Sequence, residues 1–132
     1  NAGLGIVHGF ASSIGGFFDI PHGVICGSLV ASATRLNIEA LKRKSDETSK
    51  YFLEKYAKVS QILSGKKSNL EDDLNYLINE LDSWTNIMKL PRFSQFGVSN
   101  SDVDEIVEKT ENKNNPIGLT KAEMKQILLS RL

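Results

Sequence analysis

Apolar side chains recur along most of this 132-residue chain at the three- and four-residue steps of an α-helix. Leu70, Leu74, Leu77, Leu81, Trp84 and Met88 make one such stripe, which predicts a helix that turns this face inward. Ser68-Asn69-Leu70-Glu71 has capping-box spacing at its start, and Pro91 marks its end. Phe52, Tyr56, Val59 and Leu63 make a second stripe that stops at Gly65, a residue suited to a left-handed C-terminal cap. The short polar turn between them predicts an antiparallel pair. A third helix is expected from near Ser99, burying Val103, Ile106 and Val107. Thr120-Lys121-Ala122-Glu123 repeats the capping-box spacing ahead of Met124, Ile127 and Leu128. Phe93 and Phe96 are expected to plug the core from a loop over residues 91–98. Residues 111–118, polar and broken by Pro116, read as a solvated connector. No stretch alternates with period two for long enough to predict a strand. The expected fold is all-α, a helical bundle in one domain over residues 1–132.

Composition adds exclusions. Sixteen basic residues balance sixteen acidic ones, so the charge gives no basis for a nucleic-acid or anionic-membrane partner. The weakly polar run at residues 23–33 is interrupted by Ser28 and Ser32 and is too short to span a bilayer. A single cysteine, Cys26, excludes an internal disulfide framework and suits a reducing compartment, so a cytoplasmic location is expected. Asn1 to Phe10 alternates small and apolar residues as a closely packed helix would, without a signal-peptide pattern. We therefore expect the chain to begin inside a larger protein.

Candidate chemistry lies in the first thirty residues. Both histidines of the chain, His8 and His22, are there, fourteen residues apart. That spacing cannot put them on one helical turn. It can bring them together if a first helix ends near Gly15-Gly16 and the chain doubles back, and Pro21 suits the restart. His22 then stands in the first turn of the second helix. Two imidazoles are fewer than the three protein ligands of a typical catalytic zinc, and structural roles for both remain open on spacing alone. Asp19 is nearby, in a position that suits a cap or turn. Gly3-Leu4-Gly5 is not followed by the third glycine of a dinucleotide fingerprint and reads as a packing pair.

The motif Gly5-Ile6-Val7-His8-Gly9-Phe10-Ala11, then Ile14-Gly15-Gly16-Phe17-Phe18, then Ile20-Pro21-His22-Gly23-Val24 resembles the second signature of the iron-containing (group III) alcohol dehydrogenases. Leu90-Pro91-Arg92-Phe93-Ser94-Gln95-Phe96-Gly97-Val98 and Asn115-Pro116-Ile117-Gly118-Leu119-Thr120 are similar to later segments of that family, in the same order. The resemblance spans the chain. It implies the helical C-terminal domain of a dehydroquinate synthase-like fold, whose partner is an N-terminal NAD(P)-binding domain. It further implies a divalent metal, Fe²⁺ or Zn²⁺, with His8 and His22 as two of its ligands and the other two upstream of this chain.

The implied reaction joins oxidation of a small alcohol to reduction of NAD(P), in a homo-oligomer, with the isolated domain inactive. Many members carry a further histidine four residues after the first ligand, where this chain has Ser12. The resemblance thus gives Ser12 the proton-relay position. It also keeps open a related branch of the maleylacetate reductase, glycerol dehydrogenase or dehydroquinate synthase type. A non-catalytic helical interaction module would instead hold His8 and His22 far apart. Loss of a partner domain would expose an apolar face on the first two helices, which is expected to drive self-association.

Overall fold

The computed structural model describes residues 5–112 and 115–132. Six α-helices follow one another: α1 (Gly5–Phe17), α2 (His22–Lys44), α3 (Glu47–Ser64), α4 (Leu70–Ile87), α5 (Val103–Lys109) and α6 (Lys121–Leu129). Short 3₁₀ turns at Phe93–Phe96 and Asn100–Asp102 lie between α4 and α5. Among the described residues there is no strand, as the absence of period-two alternation requires.

The second helix organises the bundle. It packs on α1, α3, α4 and α6 and contributes to both apolar clusters. Ile25, Leu29, Ala33, Leu36 and Ala40 join α1, α5, α6 and Phe93 in the larger one. Ile38 and Leu41 join Leu53, Tyr56, Leu74 and Leu77 in the smaller one. By length and composition α2 could cross a membrane, but 67% of its most apolar window is buried inside the fold. Its last turn is Lys42-Arg43-Lys44, which suits the negative end of the helix dipole. Its apolarity is that of a central core helix.

The helix ends largely follow the sequence signals. Thr120 and Glu123 form a reciprocal capping box on α6, and Gly65 closes α3 at φ 72°. Ser99 caps the 3₁₀ turn that leads into α5. The start of α4 is one residue later than the Ser68 reading. Asn69 accepts from the Asp72 amide at 2.9 Å. The Ser68 amide donates instead to buried Asp73 at 3.1 Å, and Gln61 donates to the other Asp73 oxygen at 3.0 Å. Asp73 therefore satisfies the α3–α4 turn from inside.

The two stripes are only partly buried. Leu74 and Leu77 are in the core, whereas Leu70, Trp84 and Met88 are exposed. The Trp84 indole donates to Glu80 one turn back at 3.0 Å and stays on the surface. On α3 the inward residues are Ser49, Leu53, Tyr56, Ala57 and Ser60, with Val59 and Leu63 outside. Small residues at inward positions allow neighbouring helices to approach closely.

The loop over residues 111–118 is tied into the fold where it is described, which corrects its reading as a solvated connector. Asn115 donates to Asn37 Oδ1 at 2.8 Å and accepts from Asn37 Nδ2 at 3.2 Å. It also accepts from the Ile6 amide at 3.3 Å and donates to the Ile117 carbonyl at 2.6 Å. One side chain thus joins α1, α2 and the loop. Asn114 lies outside the described residues.

Asn37 also donates to the Tyr56 hydroxyl at 3.4 Å. Burial pushes the Tyr56 phenol up to about 12, against the pull of that hydrogen bond. The folded pKa is above the unfolded value of about 10, so this contribution is complete below pH 10 and is lost as pH rises toward 12. Alkaline unfolding titrations should show a loss on the order of 2 kcal/mol across that window. Tyr56→Phe is expected to flatten it, and an unchanged alkaline limb would refute the assignment.

Candidate metal centre

Packing forces fix the position of α1. Ile6, Val7, Phe10, Ala11 and Ile14 are buried, which leaves His8 and Ser12 on the opposite, exposed face. Beside that face a Cβ on Gly9 would stand 2.2 Å from the Glu111 carbonyl oxygen, so α1 lies directly against the backbone after α5. Ser13 and Thr110 share a buried hydroxyl–hydroxyl bond of 2.7 Å, and Thr110 Oγ1 also donates to the Ile106 carbonyl at 2.7 Å. His8 is therefore carried on a helix clamped along its flank.

The reversal after α1 differs in detail from the glycine reading. The helix runs through Gly15 and Gly16 to Phe17, and neither glycine has a neighbour that a Cβ would meet. The chain then turns over buried Ile20. Pro21, with φ −55° and ψ 137°, occupies the cap position one residue ahead of the first turn, and α2 starts at His22. No side chain caps this end, so Asp19, exposed in the bend, does not act as its cap.

This turn brings the two histidines together. Their ring centroids are 6.0 Å apart and the rings are inclined by 23°. Cys26 follows His22 by one helical turn, and its sulfur lies 3.4 Å from His22 Nε2. One donor atom from each of His8, His22 and Cys26 lies within 4.8 Å of the others. Both histidines are exposed and Cys26 is half-buried, with burial pushing its thiol upward. Ser12 lies one turn beyond His8, and both line a groove of about 460 Å³ with Lys109 and Glu111.

The donor set fits a divalent transition ion. Imidazole nitrogens and sulfur suit Zn²⁺ and its neighbours, and tetrahedral bonds of about 2.0–2.3 Å put ligand atoms roughly 3.3–3.6 Å apart. The donor atoms of the three side chains, within 4.8 Å of one another, stand wider apart than such bonds require.

The sequence pairing of His8 with His22 thus has its geometric counterpart, and Ser12 borders the same groove. Cys26, which the sequence marks only as a lone thiol, belongs to this group as well. Its signal was the i, i+4 spacing from His22, which places both on one face of a helix. Among the described residues the first two helices do not show the expected apolar face. Among the described residues of α1, Phe17 is the one large exposed apolar side chain, while Val59, Ile62, Leu63, Leu70, Ile87 and Met88 are exposed on or beside α3 and α4.

Known proteins match throughout. The Fe-containing alcohol dehydrogenase family, C-terminal, matches residues 1–132. An NADPH-dependent butanol dehydrogenase of Clostridium saccharobutylicum is 30% identical over 96% of the chain, which spans 32% of that relative. The alcohol dehydrogenase from Oenococcus oeni superposes at a TM-score of 0.75 and 25% identity over 100% of this chain and 33% of its own. A 1,3-propanediol oxidoreductase shares the fold at a TM-score of 0.76 and 23% identity, over 97% of this chain and 32% of its own. The chain spans about a third of the length of these relatives. Its helical bundle and its whole-length match place it in the Fe-containing alcohol dehydrogenase family, as the C-terminal helical part.

Proposed function

We propose that this chain is the metal-site half of an NAD(P)-dependent alcohol dehydrogenase, in which His8 and His22 hold a divalent ion, Fe²⁺ or Zn²⁺. The observation that carries the reading is the approach of the two rings to 6.0 Å from separate helices, across the bend between α1 and α2. A structural role for either histidine gives no reason for that approach. The ion, when bound, supplies Lewis acidity toward a substrate oxygen.

The chain's own residues do the rest. His8 and His22 present imidazole nitrogens from two clamped helices, which fixes the site relative to the groove. Ser12 Oγ, beside His8 in that groove, passes the substrate hydroxyl proton to solvent. NAD(P) and the remaining ligands come from an N-terminal domain that packs over the exposed face of α1 and the start of α2. The butanol dehydrogenase relative favours a small primary alcohol and NADPH.

The test is an assay of the intact protein with NADPH or NADH and short-chain aldehydes. Activity should vanish on chelation and return with Fe²⁺ or Zn²⁺. Ser12→Ala should lower kcat by about 10–100-fold with metal content unchanged, below the full range of a general acid–base group because water can substitute. Full activity in chelator-treated protein would sink the proposal.

A further inference from the structure

We infer that Asn115 is a positioning residue of the candidate centre: its carboxamide fixes the helix that carries His8 against the helix that carries His22. The inference rests on the reading of both histidines as ligands.

The bend at residues 18–21 joins the end of α1 to the start of α2. Away from the bend the two helices meet through apolar packing, which is non-directional and leaves their relative rotation and sliding weakly set. Hydrogen bonds are directional and remove that freedom. Among the described residues, Asn115 is the one side chain that bonds to both helices. Its Oδ1 accepts from the Ile6 amide, two residues before His8, at 3.3 Å and from Asn37 Nδ2 on α2 at 3.2 Å. Its Nδ2 donates to Asn37 Oδ1 at 2.8 Å.

A local role for Asn115 does not account for this pattern. Its bond to the Ile117 carbonyl, at 2.6 Å, is enough to hold the turn, and the other three run to the helices that bear the histidines. The reciprocal pair with Asn37 needs a donor and an acceptor on each side chain, which a carboxamide provides and a carboxylate does not. Asn37 is a firm anchor, because it is fully buried and its Nδ2 also reaches the Tyr56 hydroxyl on α3 at 3.4 Å. Metal sites depend on such supporting contacts, since a ligand displaced by a fraction of an ångström no longer meets its ion.

Zinc affinity of the intact protein, measured by competition with a chelator, tests this alongside urea unfolding. Asn115→Ala removes the bonds, and Asn115→Leu removes them at nearly constant volume, so either folded variant decides. Each should bind Zn²⁺ about tenfold or more weakly, whereas Leu74→Ala should stay within about twofold of the wild type. Leu74 is fully buried in the apolar cluster that no residue of α1 joins, so its loss lowers the urea midpoint without touching the tie. Wild-type zinc affinity in a folded Asn115 variant overturns the inference. An equal zinc loss in Leu74→Ala overturns it as well, because general destabilisation would then explain both. His8→Ala separates the two levels: zinc affinity unchanged in that variant overturns the histidine reading itself, and a loss there beside an unaffected Asn115 variant overturns only the role of Asn115.

Discussion

Phe93→Ala should lower the stability of the protein by about 3–5 kcal/mol. Phe93 is fully buried although it belongs to a loop, in the same apolar cluster as α1, α2, α5 and α6. Its removal takes a large aromatic surface out of the core and leaves a cavity that the surrounding helices cannot close. The backbone holds the ring in place: the Phe93 amide donates to the Arg131 carbonyl at 2.9 Å, and Ser94 to Leu132 at 3.2 Å. Arg131 in turn donates to the Leu90 carbonyl at 2.7 Å. The loop and the end of α6 are thus clasped together around the ring. In urea the variant should show a lower midpoint with an unchanged slope. A cost under about 1 kcal/mol would mean that the loop lies outside the cooperative core.

The second large effect is expected from Gly9→Ala. In an open helix this change would stabilise, by about 1 kcal/mol from helix propensity. Here the new Cβ meets the Glu111 carbonyl oxygen at 2.2 Å and Thr110 Cγ2 at 3.2 Å. The nearest of these is backbone, which cannot rotate away, so α1 has to move. Overpacking of this kind costs about 1–3 kcal/mol, and the upper end is expected after the propensity gain is offset. Displacement of α1 also moves His8, the adjacent residue, away from His22. Zinc affinity of the intact protein should therefore fall by at least tenfold, measured by competition with a chelator. Gly15→Ala is the control, since a Cβ there meets nothing within 4 Å. Equal behaviour of the two variants would refute the close-approach argument.

The sequence was most informative where a local signal has one physical meaning. Gly65, the Thr120–Glu123 box and the lack of period-two alternation each settle an element without help from tertiary packing. The stripes on α3 and α4 were less reliable, because helical periodicity says which residues share a face but not how much of it a neighbour covers. Trp84 and Met88 share the face of Leu77 and still meet solvent. Asn115 could not be read at all from a polar stretch, since its role depends on Asn37, 78 positions away in the chain. At the candidate centre the histidine pair was legible through the motif and the bend. Cys26 was legible only in retrospect, because one cysteine draws no attention until a second helix delivers His8 to it.

The central claim is that His8 and His22 share one ion, and an anomalous-scattering crystal structure of the zinc-loaded intact protein tests it most directly. The account predicts one peak between the two rings, with a nitrogen from each at about 2.0–2.1 Å. A zinc peak elsewhere, with His8 and His22 in separate hydrogen bonds, would contradict it.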